Sequence, residues 1–418
     1  MPYCGVERAG ISPVTPKIPS IPISYASAEP LLQALDGFGV SAEDVNRTVW
    51  AGALEADYST GPAPGVTLHL DNLMEGKITP IWNVIGHLNG TNADETIVIG
   101  NHRDTWMIGG NGDPNSGSAI LVELTKAVNA LVSKGWKPRR NIVIASWDAE
   151  EYGLVGSTEW VEDHVDWLTE TAVAYLNVDV AVSGPRPNLA TTPELHAIAT
   201  DMFKKVVYPN FGAFNISLYD AWEEASGGVV EPLGSGSDYT GFLHRGINSH
   251  AAIGQYLALL AFHLADDEVL PIDVPNFAAE LRAYLEDLVE YAEAEGAAAA
   301  GLDLSELSDA VDVFAARADE VKALERLAVA TDDTALIAVV NHKYRDFQRG
   351  FVSQGGLPDR EFFKHVVTAP GLDTGYAPVL FPGITEGIQY GDGNLTVAQE
   401  WVSKTARGIL RAADIIKT

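Results

Sequence analysis

The run 141-NIVIASW-147, followed at once by 148-DAEE-151, decides how this chain folds. A short stretch rich in β-branched residues reads as a buried strand. Two adjacent glutamates, Glu150 and Glu151, close it, and their carboxylates repel each other. Working outward, 96-TIVIGNH-102 and 172-AVAYLNVDV-180 read as strands of the same kind. Helical segments near 117–135 and 156–168 separate the three. Strand, loop, helix, strand is the pattern of an α/β fold with a largely parallel sheet flanked by helices. In such sheets ligands gather at the carboxyl ends of the strands, where Glu150 and Glu151 lie.

Residues 1–30 are rich in Pro, Ser and Ile and read as extended. Residues 28–38 read as helix, 66-VTLHLDN-72 and 80-PIWNVIGHL-88 as strands, and 89–95 as a turn. From about 271 the texture changes. Segments 275–300, 304–329, 331–350 and 396–416 have helical period, with a long Gly- and Pro-containing loop at 355–384. This predicts a separate helical domain over 271–418.

Lys and Arg number 27 against 57 Asp and Glu, a net charge of −30. That balance argues against nucleic acid and against an anionic membrane surface. Cys4 is the single cysteine. There is thus no internal disulfide, and a metal site must use His, Asp and Glu. The sequence shows no apolar run long enough to span a membrane and no signal peptide at Met1. Sequons at Asn46, Asn89, Asn215 and Asn394 hint at a secretory route.

Each strand end carries metal-ligand types: His102 and then Asp113, Glu150 with Glu151, and Asp179. Zinc accepts imidazole nitrogen and carboxylate oxygen. A dication would relieve the repulsion between the twin glutamates, and one of them would be left to accept a proton from a metal-held water. A lone histidine after a strand is more often structural, and an acidic pair at a helix start often complements the helix dipole. Three successive strand ends favour the metal. The serines of 234-GSGSDY-239 lack the strand–nucleophile–helix context of a hydrolase elbow, and no phosphate or dinucleotide loop is present.

The segments 102-HRDTWMIGGNGDPNSGSA-119, 136-WKPRRNIVIASWDAEEYGLVGSTEWVE-162, 174-AYLNVD-179, 233-LGSGSDYTGF-242 and 355-GGLPDREFFKHV-366 resemble the glutamate carboxypeptidase II and transferrin receptor family. The resemblance implies a zinc-exopeptidase-like α/β domain at 77–270 and a helical dimerisation-like domain at 271–418. It also implies the end of an apical, protease-associated domain at 1–76. It assigns His102 and Asp179 to one zinc, Asp113 to a bridge, Glu151 to a second zinc, and Glu150 as the general base toward a zinc-bridging hydroxide. Glu159 and Glu162 match ligands of a structural calcium. Gly236, Ser237 and Tyr376 match substrate contacts. A peptide substrate, a homodimer and a membrane-anchored or secretory-pathway setting follow from the same resemblance.

Two departures qualify it. Between Asn248 and Ala251 the family carries a long segment bearing the second zinc's histidine and a tyrosine, and here that segment is absent. His250 matches the start of the next helix, and His263 sits in an apolar helix. Gly375 stands where a lysine precedes the tyrosine, which weakens selectivity for glutamate. The expectation is a carboxypeptidase-like metallo-exopeptidase by lineage, impaired at its second zinc. The alternative is a non-catalytic, receptor-like homologue on the same fold.

Overall fold

The computed structural model describes residues 16–42, 44, 51–182, 184–208, 216–251 and 254–418. Cys4 and the sequons at Asn46 and Asn215 lie outside them. The chain divides into two units at Pro80 and Ile81. In the N-terminal unit, helix α1 (Tyr25–Gln33) begins where the Ser24 side chain accepts from the Ser27 amide, the ordinary role of a serine N-cap. The strand expected at 66–72 does not form. Val66, Leu68 and Leu70 are exposed, and alternation without a neighbouring strand cannot satisfy the backbone.

The larger unit is built on six strands: β1 (Val84–Leu88), β2 (Asn92–His102), β3 (Arg140–Trp147), β4 (Ala172–Asn177), β5 (Ala190–Thr191) and β6 (Asn248–Ala251). Their order is β1-β3-β2-β4-β6-β5. The four central strands run parallel, and both edge strands are antiparallel. β2 already starts inside the stretch expected to be a turn. β4 ends at Asn177, and Asp179 beyond it adopts a left-handed φ of 59°.

Alternation along the strands divides the sheet into two apolar faces. Ile97, Ile99, Ile142, Ala174 and Leu176 point into one core. Val98, Val143, Ala145, Trp147 and Tyr175 point into the other. Helices cover both. They are α2 (Asn115–Ser133), α3 (Val155–Asp163), α4 (Val165–Thr171), α5 (His196–Lys205), α6 (Leu218–Ser226), α7 (Tyr239–Leu243) and α8 (Gly254–Asp266). The helix expected over 156–168 is broken at His164 into α3 and α4.

The C-terminal helices are α9 (Val274–Ala294), α10 (Ser305–Ala330), α11 (Thr334–Asp346), α12 (Pro382–Gln389) and α13 (Thr396–Ile416), with a small hairpin of β7 (Thr368–Pro370) and β8 (Pro378–Leu380) before α12. Their apolar residues belong to the same core cluster as Ile97 and Leu176. Phe277 of α9 stacks on Phe351 at 5.0 Å and meets Phe314 of α10 and Phe347 edge-on. The two regions are also joined by polar groups: buried Glu194 accepts from the Gln348 amide at 2.9 Å. Among the described residues no helix is long and apolar enough to cross a membrane.

Candidate metal centre and substrate cavity

The carboxyl ends of β2, β3 and β4 lie side by side in the sheet, so the side chains that follow them share one edge. His102 is the last residue of β2 and is 1% exposed. Its Nε2 lies 3.1 Å from Asp179 Oδ1, 3.3 Å from Asp113 Oδ1 and 3.9 Å from Glu150 Oε2. Two three-residue donor groups result: His102 with Glu150 and Asp179, and His102 with Asp113 and Glu151. The five residues singled out from the sequence are therefore brought together around one imidazole.

The backbone here is held in unusual shapes. Ala149, Leu154 and Asp179 all have positive φ, a sparsely populated conformation for residues other than glycine that is common at functional sites. A single carboxylate fixes the twin glutamates. The amide of Glu150 donates to Asp104 Oδ1 and that of Glu151 to Asp104 Oδ2, each at 3.1 Å. Asp104 also faces the other side of His102, whose Nδ1 lies 3.2 Å from the Asp104 carbonyl oxygen and 3.5 Å from Oδ1. These acceptors hold a proton on Nδ1, so Nε2, which donates to Asp179 when no metal is bound, is the nitrogen turned toward the carboxylates, as in a metal-ligating histidine.

The electrostatics agree. Burial works against charge on His102, yet the Asp179 hydrogen bond and the charges of Asp179, Glu150 and Asp238 together raise its pKa to about 9. Burial pushes Glu150 up to about 8, opposed by His102 and reinforced by Asp238, Asp179 and Glu151. Asp113 and Glu151 are also raised, first by burial and then by neighbouring carboxylates. Such a crowd of anions around one imidazole is short of positive charge. A dication supplies it, and the donor set of imidazole nitrogen and carboxylate oxygen suits zinc.

Residues 83–284 match peptidase family M28, and residues 302–417 match the transferrin receptor-like dimerisation domain. Over residues 83–284 the chain is thus similar to peptidase family M28. A probable glutamate carboxypeptidase of Arthroderma benhamiae is 50% identical over 95% of this chain and 59% of its own length. A probable glutamate carboxypeptidase of Arabidopsis thaliana is 33% identical over 98% and 63%. The aminopeptidase NAALADL1 of Rattus norvegicus is 28% identical over 92% and 58%. The chain spans about three fifths of the length of these curated relatives. M28 is a zinc peptidase family, and the donor groups around His102 fit that metal.

Beside the His102 cluster opens a cavity of 630 Å³. Asp113, Glu150, Glu151 and Asp179 line it, as do Gly236 and Tyr376. Tyr376 is 67% exposed, and its hydroxyl lies 3.5 Å from the Gly236 carbonyl. Ser237 faces inward. It is buried, and its hydroxyl accepts from Asn177, the end of a buried chain running from Trp147 through Tyr175. Glu162 lies 3.6 Å from Arg245. Neither Glu159 nor Glu162 joins a three-ligand group among the described residues.

Several contributors were not singled out in the sequence. Asp104 sits in 101-NHRD-104, two residues past His102, a spacing that returns a side chain to the same side of extended backbone. Asp238 is fully buried beside the Ser157 side chain. Burial pushes its pKa to about 7. Phe362 and Phe363 reach the cavity from the C-terminal loop, and no local signal marks them.

The two remaining histidines do not join the donor groups. His250 lies within β6, not at the start of α8, is fully buried, and has both ring nitrogens without a partner among the described residues. His263 Nδ1 pairs with Asp267 at 2.9 Å on the outer part of α8.

Proposed function

We propose that the chain is a zinc-dependent exopeptidase by design, with His102 and Asp179 holding one zinc, Asp113 bridging, Glu151 holding the second, and Glu150 as general base. The observation that carries this reading is the convergence of five donors at one sheet edge: Asp179, Asp113 and Glu150 stand 3.1, 3.3 and 3.9 Å from His102 Nε2, and Glu151 completes a donor group with His102 and Asp113. Glu150 lines the cavity, where a carboxylate can take a proton from a water and return it to the leaving amine. Bound zinc would polarise the scissile carbonyl and acidify a water. Asp104 keeps Glu150 and Glu151 in place through their amides, and His102 in orientation through Nδ1.

The second donor group supports a weaker site. Its imidazole is again His102, and no second histidine joins it among the described residues. The reading therefore includes loose binding of a second zinc and slow turnover. A non-catalytic homologue is favoured by the same observation. The match over 302–417 supports pairing of two copies.

Zinc stoichiometry and hydrolysis of a dipeptide panel, measured on the parent and on Glu150→Gln, test the assignment. Retained zinc with activity lowered at least about 100-fold supports Glu150 as the base. Loss of zinc would make Glu150 a ligand, and unchanged activity would remove it from the reaction. Two tightly held zinc ions with rapid turnover would refute the weak second site.

A further inference from the structure

We infer that the cavity beside the His102 cluster takes an uncharged, apolar or aromatic side chain of a peptide and turns away an acidic one. The inference rests on the peptidase reading above and adds the class of substrate.

The lining carries it. Leu154, Val180, Phe362, Phe363 and the ring of Tyr376 supply apolar surface. Among the described residues that line it, none is Lys, Arg or His. Two cations of the neighbouring segments, Arg360 and Arg245, are engaged elsewhere. Arg360 donates to the Pro370 carbonyl and to the Glu386 carboxylate, and Arg245 pairs with Glu162 at 3.6 Å. Most hydroxyls at the wall are also committed to backbone. Thr240 donates to the Ser237 carbonyl at 2.7 Å, Ser235 to Gly375, and Tyr376 reaches Gly236.

Among the described lining residues the concentrated charge is the set of four carboxylates, Asp113, Glu150, Glu151 and Asp179. Two bound dications would cancel that charge and leave no positive surplus. A glutamate side chain in the cavity would be desolvated without a partner, which is costly. A phenylalanine or leucine side chain would instead cover Leu154, Phe362 and Phe363 and gain by burial.

The test measures binding by calorimetry on the zinc-supplemented Glu150→Gln variant, with the dipeptides Ala-Phe, Ala-Glu, Phe-Ala and Glu-Ala. Using both positions makes the result independent of which end of the peptide enters. The better phenylalanine peptide should bind at least about ten-fold tighter than its glutamate counterpart. Equal affinity, a preference for glutamate, or no binding by any of the four at millimolar concentration overturns the inference. A second variant, Phe362→Arg, places a cation on an exposed wall position. It should raise affinity for the glutamate peptide about ten-fold, and an unchanged Glu-to-Phe ratio overturns the inference. Because binding is read directly, a chain that follows this order yet hydrolyses nothing leaves the inference standing and removes the peptidase reading.

Discussion

The ring of Tyr376 lies so close to Gly236 that a Cβ at position 236 would stand 2.9 Å from its Cζ. The substrate-side loop and the C-terminal loop therefore meet across a residue without a side chain. Gly236→Ala should push the ring aside, weaken dipeptide binding about ten-fold, and leave thermal stability nearly unchanged. Gly234 is different, because its Cβ would meet the Tyr376 carbonyl oxygen, which cannot rotate away. Gly234→Ala should lower the melting temperature as well as the affinity. Calorimetric binding and thermal unfolding of both variants separate the two outcomes, and identical behaviour would contradict the proposed geometry.

Asp104 clamps two amides and one imidazole with a single side chain. Asp104→Asn replaces one acceptor oxygen with an NH₂ group that faces donors. Zinc affinity should fall about 10- to 100-fold, the range for lost outer-shell partners of ligating histidines. Competition against a chromophoric chelator measures it, and an unchanged dissociation constant would show that Asp104 only shapes the turn.

Much of this was legible beforehand, for a physical reason. Buried parallel strands read as runs of β-branched residues, and their ends placed His102, Asp113, Glu150, Glu151 and Asp179 on one edge. The helix over 396–416 likewise followed from its apolar period. What escaped depends on long-range pairing. Val66, Leu68 and Leu70 alternate like a strand yet have no partner. Phe362 and Phe363 come to the cavity from a distant loop that only the folded chain brings near. Asp104 and Asp238 were visible as letters, but their roles depend on burial and on which neighbours face them.

His244 and His365 give a pH prediction away from the metal cluster. His365 accepts from the Thr368 amide at Nδ1, and its Nε2 contacts Gln348 Oε1 at 3.1 Å. His244 Nδ1 accepts from the amides of Lys364 and His365. Both rings are thereby held neutral. Burial lowers His365 to about 3 and takes His244 well below its ordinary value. Because the folded pKa lies below the unfolded value of about 6.5, the unfolded chain binds more protons in between. Their contribution is intact above about pH 6.5 and is lost as pH falls toward the folded value, at up to about 1.4 kcal/mol per pH unit for each ring. His365→Asn retains an acceptor near Nδ1 but does not titrate. Urea unfolding from pH 7 down to pH 4 should show a shallower decline for this variant, and an identical slope would remove His365 from the acid response.

Arg140 is fully buried and donates to Glu95 Oε2 at 2.5 Å, to the Leu264 carbonyl at 3.0 Å and to the Asp267 carbonyl at 2.7 Å. It ties the start of β3 to the end of α8. Glu95→Gln would leave the guanidinium charge buried without its counterion, a change that costs about 3–5 kcal/mol. Denaturant titration checks this, and a loss below about 1 kcal/mol would show that the two carbonyls alone suffice to hold Arg140.

The shared aromatic cluster has a consequence for heredity. Phe277 lies within the stretch matching the peptidase family, and Phe314, Phe347 and Phe351 lie within the stretch matching the dimerisation domain. A recombination event that separated them would strip the packing partners from both sides at once. The product would be a chaperone client with an open apolar flank, not a smaller enzyme. In this chain one packed cluster thus crosses the boundary drawn between the two families by sequence, and the two stretches are expected to be inherited together.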